Sequence, residues 1–234
     1  MINSVISKYI GSLIALIYPK LCLVCGSTIF GNEELICTYC RHSLPETNFH
    51  KSTDNPVEQL FWGRLPVEHA TALLYFDKGS NYRRLVHQLK YQGRKDSGYY
   101  LGRLLGSALK ESIFSPIDCI IPIPLHPAKL RRRGFNQSQV IAEGIAEILD
   151  IELYNDVLHR KTFTHTQTRR KRYDRWKNVE GIFACQYREK ITNKHVLLVD
   201  DVITTGATME AAGSVLCAFE NVRLSVAAAT YTHI

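Results

Sequence analysis

No stretch of this chain is both long enough and apolar enough to cross a bilayer as a helix, which excludes a helical membrane protein. The start also lacks the basic opening and small-residue cleavage site of a secretory leader. Lys8 is its one cation before Pro19-Lys20. A cytoplasmic protein is therefore expected. No internal repeat or low-complexity segment occurs, which excludes a solenoid or a disordered linker protein. Acids are scarce: 22 Asp and Glu stand against 29 Lys and Arg, a net charge of +7. That imbalance favours polyanionic partners such as phosphates, nucleic acid or an anionic membrane surface. It is equally what simple solubility would give.

What is present fills one ordinary domain plus a small module. The 234 residues are 45% hydrophobic, enough for a core. Residues 1–20 place Ile2, Val5, Ile6, Tyr9, Ile10, Leu13, Leu16 and Ile17 at helical spacing. An amphipathic helix packed on the body or on a partner is expected there. Of seven cysteines, four form two pairs, Cys22-x2-Cys25 and Cys37-x2-Cys40, eleven residues apart. Two such knuckles converge four thiolates on a tetrahedron, the geometry of structural Zn2+. Without a secretory leader, paired disulfides are disfavoured. Residues 21–45 thus read as a closed zinc ribbon whose stability comes mostly from its metal. His42 reads as a solvated histidine, and Cys119, Cys185 and Cys217 read as inert thiols.

Residues 46–66 are polar and turn-rich and read as a linker into a main domain over 67–234. Strands are expected over 68–77, 118–125, 194–202 and 223–230. Helices are expected over 80–92, 99–110, 138–149 and 209–219. Strands alternating with helices predict an α/β fold with a mostly parallel sheet.

The most informative string is VLLVDDVITTGAT, Val196 to Thr208. Its apolar run predicts a buried parallel strand. The strand delivers Asp200 and Asp201 to the carboxyl edge of the sheet, where open α/β folds bind ligands. Thr204, Thr205, Gly206, Ala207 and Thr208 follow at a helix start, with backbone N–H groups and hydroxyls suited to a phosphate. An acid pair for hydroxyls beside a phosphate loop fits a sugar phosphate.

Two basic segments frame this string. The strand over 118–125 exits through IPIPLHPAKLRRRGFNQS, stiffened by Pro122, Pro124 and Pro127. Lys129, Arg131, Arg132 and Arg133 then form a cationic loop before a helix that Asn136 or Ser138 would cap. Such a loop suits a pyrophosphate. The second segment, His159 to Asn178, sets Arg160, Lys161, Arg169, Arg170, Lys171, Arg172, Arg175 and Lys177 against the single acid Asp174. Phe163, Tyr173 and Trp176 are interleaved, a pattern that suits stacked bases and paired phosphates of single-stranded nucleic acid.

The 196–208 string resembles the ribose-phosphate signature of the type I phosphoribosyltransferases. The whole chain is similar to the ComF/GntX-like family: the four-cysteine ribbon, the PIPLHPAKLRRRGFNQS block, Gln167, Arg175, Asn178, Gly181, Phe183 and the VLLVDDVITTGAT motif carry the likeness. That resemblance implies a type I phosphoribosyltransferase fold that binds phosphoribosyl pyrophosphate with Mg2+. Asp200 and Asp201 would hold the ribose hydroxyls. Residues 204–208 would hold the 5′-phosphate, and Arg131 to Arg133 would lie near the pyrophosphate. The segment before the motif strand would act as a mobile hood, and it is more basic near Arg170 than the family pattern. The family is linked to handling single-stranded DNA during natural transformation, so single-stranded DNA and a protein of the competence machinery are implied partners. Enzymes that salvage 6-oxopurines carry an aspartate where Thr204 stands, which disfavours purine salvage. Two readings stay open: a phosphoribosyltransferase with an unidentified acceptor, and a DNA-handling protein that binds without turnover.

Overall fold

The computed structural model describes residues 19–76, 79–80, 82–91, 93–114, 116–161 and 181–232. The helix expected over 1–20 lies outside the described residues apart from Pro19 and Lys20, and the basic hood segment over 159–178 lies outside them apart from His159, Arg160 and Lys161. Among the described residues, no helix is long and apolar enough to cross a membrane.

Among the described residues seven strands form: β1 (Ala70–Tyr75), β2 (Cys119–Pro122), β3 (Glu152–Leu153), β4 (Leu158–Arg160), β5 (Phe183–Cys185), β6 (His195–Ile203) and β7 (Arg223–Tyr231). The α-helices among the described residues are α1 (Thr38–His42), α2 (Pro56–Gln59), α3 (Arg83–Tyr91), α4 (Lys95–Lys110), α5 (Pro127–Arg133), α6 (Gln137–Leu149) and α7 (Ala207–Leu216). Five strands make one sheet in the order β1-β7-β6-β2-β3, with every neighbouring pair parallel. β4 and β5 form a separate antiparallel pair. The parallel sheet expected from the alternation of elements is present, and β3, β4 and β5 are too short to show a period in sequence.

Side chains alternate across a strand, so a sheet buried on both sides needs two cores. Leu197 and Val199 of β6 join Ala227 and Ala229 of β7 in one, with α3, α4 and α6. Val196 and Leu198 join Val226 and Ala228 in the other, with α7 and the 49–65 segment. The helices α4 and α6 touch backbone to backbone. A methyl group on Gly102 would stand 2.1 Å from the carbonyl oxygen of Ile141, so only glycine permits this approach. The contact seats α6 firmly, and α6 begins at the site described below.

Two expectations are corrected here. Residues 46–66 are not a solvated linker. Thr47 N–H donates to the Leu73 carbonyl at 3.0 Å, and Tyr75 N–H donates to the Pro45 carbonyl at 2.9 Å. The segment thereby covers the outer edge of β1, which would otherwise expose unpaired backbone groups. Val57 and Phe61 are fully buried in the second core. The Lys129–Arg133 stretch is not a loop either. It is α5, started by Pro127 at its first position and ended by Gly134 at φ 80°. Its three arginines fall in the last turn, where the helix dipole favours them.

His195 opens β6 and is 2% exposed. Its Nδ1–H donates to the Pro116 carbonyl (2.6 Å), and its Nε2 accepts from the Ser225 hydroxyl (2.8 Å). Glu68 Oε2 lies 3.6 Å from Nε2. Burial holds the imidazole below its ordinary value. The unfolded chain therefore takes up this proton first, near pH ~6.5. The contribution of His195 to stability is expected to be constant above that pH and to be lost progressively as pH falls below it. His195→Gln, which keeps a donor for Pro116, should give a shallower fall in urea midpoint below that pH.

Candidate functional site

Parallel pairing brings the ends of β2 and β6 to one edge: Pro122 sits opposite Val199, and Ile123 N–H donates to the Val199 carbonyl at 2.8 Å. Asp200 and Asp201 follow in β6, both half-buried. β6 ends at Ile203, and three residues later Gly206 begins α7 at φ 75°. An alanine there would be strained, and its methyl would stand 3.0 Å from the Phe61 ring. The helix starts at Ala207, two residues earlier than expected, so Ala207 and Thr208 belong to its first turn. A small cleft is lined by Asp200 and by Val202 through Met209. The structure thus gathers Asp200, Thr204, Thr205, Gly206, Ala207 and Thr208 around one opening. Asp201 is fixed through its carbonyl, which accepts from the buried Thr230 hydroxyl at 3.1 Å.

The first turn of α6 closes on the same place. The Ser138 hydroxyl donates to Asp200 Oδ1 at 2.7 Å, and the Asp201 N–H donates to the same oxygen at 2.8 Å. Neither expected side-chain cap forms: Ser138 goes to Asp200, and Asn136 Nδ2 donates to the Ile123 carbonyl at 2.9 Å. Both bonds tie α6 to the sheet edge, and the positive end of its dipole lies beside a carboxylate. Sequence spacing offers no sign of the Ser138–Asp200 contact, which joins residues 62 apart.

The three arginines divide. Arg131 and Arg132 are exposed in the last turn of α5. Arg133 turns inward and donates to Gln137 Oε1 at 2.9 Å, and Gln137 is 1% exposed. Gln137 neighbours Ser138, so α5, α6 and the end of β6 form one bonded chain.

Residues 136–231 match the family model of the phosphoribosyl transferase domain. Over 131 residues the chain is 32% identical to Competence protein F of Haemophilus influenzae, covering 53% of this chain and 57% of that protein. It is 27% identical over 200 residues to DNA utilization protein YhgH of Escherichia coli O157:H7, covering 84% of this chain and 83% of the relative. The chain is thus similar to these competence and DNA utilization proteins, and its 136–231 part carries the phosphoribosyl transferase domain signature. Among solved structures, glutamine phosphoribosylpyrophosphate amidotransferase from B. subtilis is similar, at 21% identity and a TM-score of 0.43. The match covers 60% of this chain and 30% of that one. Adenine phosphoribosyltransferase from Leishmania donovani is 14% identical at a TM-score of 0.36, covering 76% of this chain and 69% of that one.

The four paired cysteines of the chain form one cluster. The sulfurs of Cys22, Cys25, Cys37 and Cys40 all lie within 4.8 Å of one another. Cys25 and Cys37 are 3.7 Å apart. Four thiolates about 2.3 Å from a tetrahedral zinc stand about 3.8 Å apart, so the donor set and spacing fit that ion. His42 is exposed and outside the cluster. The remaining thiols stay protonated: burial pushes Cys119 up to about 11 and raises Cys185 and Cys217.

The Gly206 geometry has a direct consequence. Gly206→Ala should cost about 1–3 kcal/mol in urea unfolding, from strain at positive φ and contact with Phe61. Adding Phe61→Leu should relieve only the contact part, leaving the double variant still less stable than Phe61→Leu alone.

Proposed function

We propose that this protein binds phosphoribosyl pyrophosphate, or another phosphorylated ribose, at the end of β6, and that it transfers the phosphoribosyl group to an acceptor. The observation that carries the reading is the placement of Asp200 beside a glycine-started helix turn, with Ser138 fixing the carboxylate. Asp200 and Asp201 hold the ribose hydroxyls, and the 204–208 turn holds the 5′-phosphate. Exposed Arg131 and Arg132 lie on the element that leaves the same sheet edge and are suited to the pyrophosphate. The two carboxylates are hard oxygen donors of the kind that suits Mg2+ beside a diphosphate. That ion would supply charge neutralisation as the bond from the anomeric carbon to pyrophosphate breaks. The chain's own groups orient the ribose and fix its phosphate, so the acceptor attacks a positioned carbon.

A second reading draws on the relatives' names and on the basic charge. The inherited sugar-phosphate site and the exposed cations would then serve single-stranded DNA without turnover, in a cytoplasmic protein of DNA uptake that works with competence proteins. The two readings make different demands. Calorimetric titration with phosphoribosyl pyrophosphate and Mg2+ should show binding. Asp200→Asn with Asp201→Asn should abolish both binding and pyrophosphate release if the first reading holds. Under the second, affinity for a DNA oligonucleotide should survive that double change and decline steeply with salt. An absence of heat on titration of the native protein would remove the first reading.

Zinc in the cysteine cluster is proposed as a structural ion. Four thiols this close cannot all ionise unaided: burial raises Cys40, and its neighbouring sulfurs raise it further. A divalent cation reverses that balance. The ribbon would then be held by its metal and by the body together. Ile29, Ile36 and Leu44 share a core with Leu85 and Leu101, and the Tyr82 hydroxyl donates to the Cys40 carbonyl at 3.1 Å. Purified protein should carry one zinc per chain by elemental analysis. Chelation should lower the melting temperature of the whole domain, not release the ribbon alone.

A further inference from the structure

The segment read from sequence as a linker reaches the back of the phosphate turn. Arg64 Nη1 donates to the Thr205 carbonyl at 3.2 Å and to the Leu60 carbonyl at 3.1 Å. Its Nη2 pairs with Glu210 Oε2 in the first turn of α7. Phe61 and Leu60 approach Gly206 from the same side. One guanidinium therefore ties residues about 140 positions apart, and it does so at the turn that starts α7.

We propose that Arg64 is a positioning residue for the phosphate turn, acting by two means. The first is geometric. The Thr205 carbonyl and the Gly206 N–H belong to one trans peptide plane and point in opposite directions. Holding the carbonyl on the Arg64 side fixes the Gly206 N–H on the other side. The second is electrostatic. Glu210 is a carboxylate one turn from the place where a phosphate would sit. Paired with Arg64 it is neutralised; unpaired, it repels the ligand. The Arg64 and Glu210 side chains remain 41% and 32% exposed, and a pair this accessible contributes little to folding. Its effect should appear in ligand affinity. The inference rests on the sugar-phosphate reading of the 204–208 turn and adds a residue outside the motif to it.

The test is calorimetric titration of the full chain with ribose 5-phosphate. Arg64→Met should weaken binding by roughly tenfold or more, through a lost charged hydrogen bond and an exposed carboxylate. Glu210→Gln alone should leave affinity unchanged or raise it. Arg64→Met with Glu210→Gln should bind more tightly than Arg64→Met, a recovery that general structural damage would not produce. In the ligand-free protein, amide exchange at Gly206 and Ala207 should quicken in Arg64→Met and stay native in Glu210→Gln. Native affinity in Arg64→Met, or a double variant no tighter than Arg64→Met, would overturn the proposal. Unaltered exchange would overturn its geometric half. Failure of the native chain to bind ribose 5-phosphate is a different result: it removes the sugar-phosphate reading of the turn and the proposal with it.

Discussion

The parallel register of β6 between β2 and β7 is the constraint on which the rest of this molecule depends. Parallel strands end together, so three chain exits meet at one edge: residue 123 after β2, residue 204 after β6 and residue 232 after β7. An antiparallel partner on either side would carry one of those exits to the far edge. Because the register is fixed, Asp200 meets a helix that enters from β2's exit, and the turn after β6 meets a segment that precedes β1. The close seat of α6 on α4 over Gly102 completes the arrangement, since a helix free to slide would not keep Ser138 on Asp200.

Much of this was legible because it is local. Val196 to Thr208 reads as strand, turn and helix since each residue's preference is satisfied by its immediate neighbours: apolar side chains for a strand buried on both faces, glycine for positive φ. The cysteine spacing is equally local. What could not be read depends on distant partners. Residues 46–66 look like a linker because they are polar and contain proline, yet they hydrogen-bond to β1, Phe49 packs on Tyr75 and Tyr231, and Phe61 packs against the start of α7. Nothing in the spacing of Phe61 or Arg64 announces Gly206 or Thr205. The α5 stretch was misread for a different reason. Three prolines and four cations suggest an irregular loop, but Pro127 stands at the first helical position, where its missing N–H costs nothing.

The ribbon illustrates how far a small module can be independent. Four thiols set its local geometry, and the turn Cys22–Gly26 closes with the Gly26 N–H donating to the Cys22 carbonyl at 2.9 Å. A ribbon of this size buries too little to stand without metal. Here it adds Leu23, Val24, Ile29 and Ile36 to the core beneath α3 and α4, and Arg103 on α4 reaches Glu34 at 2.9 Å. Metal and apolar burial would therefore support one another: a zinc ion at the four sulfurs would order the loops that present these side chains, and their burial holds the loops where the sulfurs meet. α4 packs against α6, so the ribbon bears on the site through one intervening helix.

The division of the arginines sharpens what the basic charge can do. Arg133 points into the protein and bonds Gln137, whose neighbour fixes Asp200. Its guanidinium shapes the site from within. Arg131 and Arg132 stay in water, where an ion pair with phosphate is weakened by salt and gains from numbers more than from geometry. A transferase needs a few charges held in place around one diphosphate. A DNA-handling surface needs many charges along a path. Among the described residues the ordered polar groups at the cleft are the Asp200 carboxylate fixed by Ser138 and the backbone of the Gly206 turn. Two solvated arginines on one short helix are a thin supply of the second. On the described part of the chain, the balance of ordered over solvated groups is what the proposed sugar-phosphate site would need, more than what a path for DNA would need.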